Sequence, residues 1–273
     1  MPPRLLVLDL DGTLLTADRT VSPVDVRAAR ALREAGVVVT IATGRLFGGT
    51  RWVAEALGVE GPVAVMNGCE ILDARTGAPS FGAYVAPQTL LAWREVLAAH
   101  ALAPFLFESH GIHFGAPHAH LGPYLGIWSD TLVAHDDVHA TAPWSHSRAA
   151  VAVSACGPTE RVTAARAALA PLLGDQHVAV QFQTFQGDGF LELRRGEDKG
   201  TAIARLAAHH GLTVEDVVAV GDWINDVPML RAAGRSFAVA HAHPEAADAA
   251  AERLTAGRDG GVVAELAARV WGL

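Results

Sequence analysis

The stretch Arg4-Leu5-Leu6-Val7-Leu8-Asp9-Leu10-Asp11-Gly12 decides the fold class. Residues 4–10 form a nearly continuous apolar run, the pattern of a strand buried on both faces in a parallel sheet. Downstream, Ser22-Pro23-Val24-Asp25 supplies a helix N-cap, a proline at the first helical position and an acid at the capping-box position, and Gly36 closes that helix. Residues 37–42 read as the next buried strand, 46–57 as a helix, and 62–66 as a third strand ending at Asn67-Gly68. Strand, helix, strand, helix, strand is the succession of an α/β fold with a doubly wound, Rossmann-like parallel sheet. In such a sheet ligands collect at the C-terminal ends of the strands.

The same succession returns late in the chain. Residues 199–210 read as a helix stopped by Gly211, Thr213-Val214-Glu215-Asp216 as an N-cap, and 217–220 as a strand ending in Gly221-Asp222. A helix over 228–233 and a strand over 236–240 follow. Between these halves the texture changes to more Pro, Gly and His, weaker strand candidates, and helices over 88–100 and 159–173. The expected division is therefore a core of residues 1–83 and 191–273 carrying an inserted α/β cap domain at 84–190. A length of 273 residues suits it, since that exceeds one ordinary domain.

Half the residues are apolar and few are aromatic, a balance that favours helices packed closely on a sheet. The net charge of -8 and the lack of a long Lys/Arg run argue against a nucleic-acid partner, so an anionic substrate needs a local positive site. Asp9 and Asp11 interrupt the first apolar run, which reads as a strand rather than a secretory leader. No apolar run approaches the roughly 18–20 residues that span a bilayer, so no membrane association is expected. Cys69 and Cys156 lie far apart and outside any C-x-x-C spacing, which fits neither a disulfide framework nor a structural zinc site; a reduced, cytoplasmic compartment is expected.

Asp9 and Asp11 stand two positions apart where the first strand gives way to a turn at Gly12. In extended chain alternate side chains share a face, which points both carboxylates into one crevice at the sheet edge. Two carboxylates that close repel unless a cation lies between them or one holds a proton, and both outcomes serve phosphoryl transfer. The same residues would also make a solvated Asp-Gly turn. The second strand ends in Thr43-Gly44-Arg45: a hydroxyl, a backbone N–H that a phosphate can approach, and a guanidinium fork. Alternatively this is a strand-to-helix turn capped by Thr43. Gly221-Asp222-Trp223-Ile224-Asn225-Asp226 places two hard oxygen ligands on either side of a short turn, as magnesium sites do when substrate and water complete the octahedron. Lys199, after Glu197-Asp198, is either an ordinary surface lysine or the ammonium that neutralises an attacking carboxylate and the phosphoryl oxygens.

In order and spacing, Asp9-Leu10-Asp11-Gly12-Thr13, Thr43, Lys199, and Gly221-Asp222 through Asn225-Asp226 resemble the four motifs of the haloacid-dehalogenase-like (HAD) superfamily. Asn67-Gly68, Lys199-Gly200, Met229-Leu230 and Asp259-Gly260-Gly261-Val262 extend the resemblance along the chain to the Cof-type branch, whose members carry a large α/β cap after the third core strand. The resemblance implies a phosphoric monoester hydrolase that passes through an aspartyl-phosphate, with Asp9 as nucleophile and Asp11 as general acid and then base. It implies that Thr43 and Lys199 bind the phosphoryl group. It also implies Mg2+ held by Asp9, Asp222 and the Asp11 backbone carbonyl, with Asp226 as a ligand or as the group that orients Lys199. Gly44, Arg45, Asn67 and Asn225 are implied phosphate or substrate contacts.

The implied substrate is a small phosphorylated metabolite, sugar phosphates first, chosen by the cap. A phosphomutase of the same superfamily is one alternative and a phospho-acceptor signalling module another; the second acid, Asp11, supplies a base for fast hydrolysis and speaks against the signalling module. Trp223 departs from the branch, which has a small or polar residue there. So do Arg194-Arg195-Gly196-Glu197-Asp198 before the lysine and His241-Ala242-His243 after the last core strand.

Within the insertion, His110, His113, His118 and His120 offer imidazoles to a transition metal, but the Gly/Pro-broken spacing reads as a solvated or substrate-facing loop. Gln186-Gly187-Asp188-Gly189 reads as a hairpin turn, with Asp188 as the alternative specificity residue.

Overall fold

The computed structural model describes residues 3–137, 144–145, 147–184 and 187–273. In chain order its elements begin with β1 (Leu5–Leu8), α1 (Pro23–Glu34), β2 (Val38–Ile41), α2 (Phe47–Leu57), β3 (Pro62–Val65), β4 (Glu70–Asp73) and β5 (Pro79–Gly82). Next come α3 (Pro87–Ala99), β6 (Ala103–Glu108), β7 (Gly111–Gly115), α4 (Gly122–Leu125), β8 (Leu132–His135), β9 (Ala150–Gly157), α5 (Thr159–Leu173), β10 (His177–Gln183) and β11 (Gly189–Arg195). The chain closes with α6 (Lys199–His209), β12 (Val217–Gly221), α7 (Val227–Ala232), β13 (Arg235–Ala238), α8 (Pro244–Ala249), β14 (Glu252–Arg253) and α9 (Val262–Leu266). Two compact units result: the chain up to Gly44 with Thr50–Phe81 and Asp198–Leu273, and Arg45–Gly49 with Gly82–Glu197.

The first unit is the expected α/β class. Its sheet runs β14-β13-β12-β1-β2, parallel at every neighbouring pair. All four residues of β1 are buried, and Ala202, Ile203, Leu206 and Ala207 of α6 pack with Leu5, Val7, Val217 and Ala219. That helix presents one apolar face to the sheet. At the start of α1, Ser22 Oγ accepts the Asp25 N–H (3.2 Å), as the N-cap reading requires. The buried Asp25 carboxylate does more than close that turn: it also takes the N–H groups of Gly261 (2.7 Å), Val263 (2.7 Å) and Ala264 (3.1 Å), the otherwise orphaned donors where α9 begins.

The third strand departs from expectation. β3 pairs antiparallel with β4 in a separate sheet, β3-β4-β5, and meets β2 through the parallel bridge Ala42↔Ala64. Pro62 has no N–H for a ladder, and its carbonyl takes the Thr40 hydroxyl at 2.6 Å instead.

The second unit is a sheet in the order β10-β11-β9-β6-β7-β8, antiparallel except for β7–β8. Leu90, Trp93 and Leu97 of α3 and Val162, Ala165 and Leu169 of α5 pack with Leu106, Val153, Leu191 and Leu193. An insertion ending at residue 190 would cut β11, which continues to Arg195 between β10 and β9; the unit accordingly runs to Glu197. The stretch expected as a histidine loop contains β7. There His113 Nε2 lies 3.2 Å from Glu108 Oε2 and its Nδ1 2.8 Å from His135 Nε2, linking three adjacent strands. Gly187, at φ +90°, and Asp188 do form the turn between β10 and β11, with Thr184 N–H donating to Asp188 O (2.8 Å); Gln186 lies outside the described residues. Among the described residues no helix is long and apolar enough to cross a membrane. Both cysteines are buried, and neither forms a disulfide.

Candidate active site

Thr43, Asp9 and Asp222 stand just past the C-terminal ends of β2, β1 and β12, three neighbours in the parallel sheet. Asp9 follows β1 directly, and its N–H donates to Val220 O (3.1 Å). Glycine is required at two points around the acids. A Cβ on Gly221 would lie 2.5 Å from Asp226 Cβ, and one on Gly12, itself at φ +79°, would lie 2.3 Å from Asp222 Oδ2. Lys199 opens α6 behind the Asp198/Thr201 capping box, and its side chain is fully buried. It is therefore not a surface lysine. Its Nζ donates to Asp9 Oδ1 and to Asp226 Oδ1, each at 2.5 Å.

The other oxygen of Asp226 accepts the N–H groups of Asp222 (2.8 Å) and Trp223 (2.9 Å), so both of its oxygens are engaged in positioning Lys199 and the turn. Asp222 Oδ1 accepts the Thr13 hydroxyl at 3.1 Å. Thr13 was not among the expected site residues; the one local signal for it is that a hydroxyl follows the glycine of the first turn.

Burial raises the Asp9 carboxyl well above the ordinary carboxylate range, with the Asp226 charge adding to it and Lys199 opposing. Burial, then Asp226, pushes Asp222 up to about 6 against the Thr13 hydroxyl and Lys199. Burial works against the Lys199 charge, but Asp226 and Asp9 outweigh it and hold its pKa above the usual lysine value. Three carboxylates around one ammonium leave excess negative charge in a buried place. Asp9, Asp222 and Asp226 each offer an oxygen within 4.8 Å of the others. Hard oxygens so gathered fit a divalent cation such as Mg2+.

Asp11 is exposed whereas Asp9 is buried. β1 ends at Leu8 and the chain turns over Leu10–Leu14, which breaks the two-residue alternation. The Asp11 carboxylate stays outside the three-oxygen group.

Thr43 is buried; its N–H donates to Ala64 O (3.0 Å) and its carbonyl accepts the Asn67 N–H (2.9 Å). It does not cap α2, which starts at Phe47. Asn67, at φ +54°, accepts the Asn225 side-chain amide on Oδ1 (2.9 Å), and a Cβ on Gly44 would lie 3.4 Å from that same oxygen. Thr43, Gly44, Asn67 and Asn225 thus form one group. Arg45 belongs to the second unit, where it is buried and donates Nη1 to Gly49 O (3.0 Å).

The sequence model of the haloacid dehalogenase-like hydrolase family matches residues 6–266. An HMP-PP phosphatase of Yersinia pestis (strain Pestoides F) is 26% identical over 260 residues, covering 89% of this chain and 85% of the relative. The pyridoxal phosphate phosphatase YbhA of Escherichia coli (strain K12) is 26% identical over 247 residues, covering 89% of each. A haloacid dehalogenase-like hydrolase from Bacteroides thetaiotaomicron shares the fold with a TM-score of 0.83 at 23% identity, over 98% of this chain and 99% of that one. A HAD subclass IIB sugar phosphatase does so with a TM-score of 0.72 at 17% identity, over 92% of each. The sequence relatives are named as phosphatases, in line with the expected class of phosphoric monoester hydrolase. With nearly its whole length matched, the chain belongs to the haloacid dehalogenase-like hydrolases, in their Cof-type branch.

Proposed function

We propose that this hydrolase is a Mg2+-dependent phosphatase acting on phosphate monoesters of small metabolites through an aspartyl-phosphate on Asp9. The observation that carries the reading is the buried Lys199 ammonium, 2.5 Å from both Asp9 and Asp226, beside Asp222. A nucleophilic carboxylate must be ionised, which burial opposes, and Lys199 is the cation placed to offset it.

In this reading an Asp9 oxygen forms the bond to phosphorus as the ester oxygen leaves. Asp11 gives the leaving oxygen its proton, then takes one from the water that attacks phosphorus and breaks the bond to Asp9. The products are an alcohol and inorganic phosphate, with both acids returned to their starting states. Thr43, Asn67 and Asn225 supply donors for the phosphoryl oxygens, and Gly44 and Arg45 are further phosphate or substrate contacts. Asp9, Asp222 and the Asp11 backbone carbonyl would hold Mg2+, with Asp226 as the orienting group for Lys199 or a further ligand. When bound, the ion neutralises carboxylates and phosphoryl oxygens as a Lewis acid. The inserted region, 84–190 on the sequence division, is proposed to select the leaving group. Sugar phosphates and the pyridoxal phosphate in one relative's name fall in the proposed class. A cytoplasmic location belongs to the same reading.

The test is a panel of phosphorylated metabolites in water labelled with heavy oxygen. Label should enter the released phosphate, chelation should abolish turnover, and Mg2+ should restore it. Transfer of the phosphoryl group to a sugar without label would make the protein a phosphomutase, and full activity in excess chelator, or rescue by zinc alone, would reject the metal assignment.

A further inference from the structure

β10, His177-Val178-Ala179-Val180-Gln181-Phe182-Gln183, is an outer strand of the second unit and pairs only with β11 among the described strands. An outer strand presents a row of unpaired backbone groups, and proteins blunt such edges with charge, proline or shortness. The other outer strands here follow that rule. β14 is two charged residues, Glu252 and Arg253; β3 and β5 start with proline; β2 and β8 are four residues each. β10 has seven residues and no Asp, Glu, Lys, Arg or Pro among them, and its Val180 and Phe182 are 41% and 36% exposed.

The ladder fixes which backbone groups face outward. Thr184 N–H donates to Asp188 O (2.8 Å) and Gly196 N–H to Gln176 O (2.9 Å), at either end of a β10–β11 register that runs without a shift from His177↔Arg195 to Gln183↔Gly189. Even-numbered residues therefore bond to β11, and His177, Ala179, Gln181 and Gln183 turn their N–H and C=O groups to the open side. The side chains alternate as well. Gln181 Nε2 donates to Thr163 Oγ1 of α5 (2.9 Å), and His177 meets the Trp93 ring of α3 at 5.1 Å, so the odd-numbered side chains take the helix face. Val178, Val180 and Phe182 share the opposite face, where Phe182 stacks on Phe190 of β11 at 4.8 Å.

A second copy of β10 laid antiparallel on this edge has one register that uses the whole strand, the one centred on Val180. It sets His177 against Gln183 and Ala179 against Gln181, the four outward-facing residues, so that each such pair exchanges N–H and C=O groups. Val178 then meets Phe182, and Val180 meets its own copy, at the non-bonded positions where side chains approach most closely. One face of the joint is apolar throughout. His177, the one residue of the strand that can gain a positive charge, meets Gln183 and not its own copy, so no like charges oppose each other.

We infer that β10 is a homodimer interface: two copies of the chain join edge to edge about a two-fold axis at Val180, and the six-stranded sheet of one subunit continues into that of the other. The inference is independent of the phosphatase reading.

The test is sedimentation velocity on the full chain, whose mass should rise with concentration from 28.6 kDa to twice that value by about 100 μM. Val180→Lys and Val180→Glu change a side chain already in contact with solvent and set like charges opposite each other at the axis. Each variant alone should raise the dimer Kd about 10-fold or more, and an equimolar mixture of the two should dimerise again because opposite charges then meet. Val180→Cys should form an intermolecular disulfide on mild oxidation, since the close Cα pair is within disulfide reach; Gln183→Cys, which meets His177 of the partner subunit, should not. Cys69 and Cys156 are buried and do not compete. The cysteine variants carry no charge and decide the register even if the charged variants fail to fold. A wild type that stays at 28.6 kDa leaves this edge to a strand of another protein and overturns the inference. So does a dimer that Val180→Lys leaves intact, or a disulfide that forms through Gln183→Cys in place of Val180→Cys.

Discussion

Lys199 Nζ and Asp226 Oδ1 lie 2.5 Å apart with neither side chain exposed. Because the second oxygen of Asp226 holds the Asp222–Trp223 backbone, the pair ties the start of α6 to the end of β12, and the same ammonium also reaches Asp9. One cation thus serves as a tie within the first unit and as the electrostatic partner of the candidate nucleophile.

Removing that cation strands two buried carboxylates. Lys199→Met is expected to lose about 3–5 kcal/mol of stability in chemical denaturation. Turnover should fall on the order of 100-fold or more, because the developing phosphoryl charge loses its fixed partner. A Met variant as stable as the wild type would show that the three charges are not coupled as the distances indicate.

Asp9 and Asp222 have folded-state pKa values raised mainly by burial. A carboxyl raised on folding stabilises the folded state fully below its unfolded value, 3.8, and loses that contribution as pH rises through its folded value, about 6 for Asp222. The metal-free protein is thus expected to lose stability over that window, and Mg2+, which binds the ionised acids, to restore it. The rise in Tm on adding Mg2+ should be large at about pH 7.5 and should shrink below about pH 6. Calorimetry with and without Mg2+ checks this, and a shift independent of pH would contradict it.

Thr13→Val keeps the shape of a residue that donates to Asp222 Oδ1 and removes only the donor. Loss of such an orienting bond should weaken Mg2+ dependence about 10-fold, read as the Mg2+ concentration at half-maximal rate, with a smaller change in kcat at saturating Mg2+. An unchanged Mg2+ titration would confine Thr13 to packing.

Asp25 lies outside the candidate site but clamps the start of α9. Asp25→Ala leaves three N–H groups without that partner and should cost about 3–6 kcal/mol in denaturation, while the folded fraction keeps its kcat/KM. Loss of activity without loss of stability would mean that the clamp also shapes the site.

Local signals made much of the first unit legible. β1 reads directly because Leu5–Leu8 are all buried, and α1 because Ser22-Pro23 is a start signal that the fold uses. Contacts between distant parts of the chain were not legible. The Thr13 hydroxyl finds its acceptor 209 residues away, and the Asp25 carboxylate reaches Val263, 238 residues away. The exposure of Asp11 is not legible from alternation, which assumes that the strand continues past Leu8. β9, Ala-Val-Ala-Val-Ser-Ala-Cys-Gly, is rich in residues of weak strand preference and becomes an interior strand only because β11 and β6 flank it. Pro62, which has no N–H to give, opens β3 opposite Asp73 of β4, and the Thr40 hydroxyl donates to its carbonyl.

The central claim, that Asp9 carries the phosphoryl group, has a direct measurement. In Asp11→Asn the proton donor and base are gone, so with Mg2+ and an aryl phosphate, whose leaving group needs no proton, attack can proceed while hydrolysis stalls. Rapid acid quench, digestion and mass mapping should find phosphate on Asp9, and Asp9→Asn should neither accumulate it nor turn over. Phosphate on any other residue, or turnover by Asp9→Asn, would contradict the mechanism.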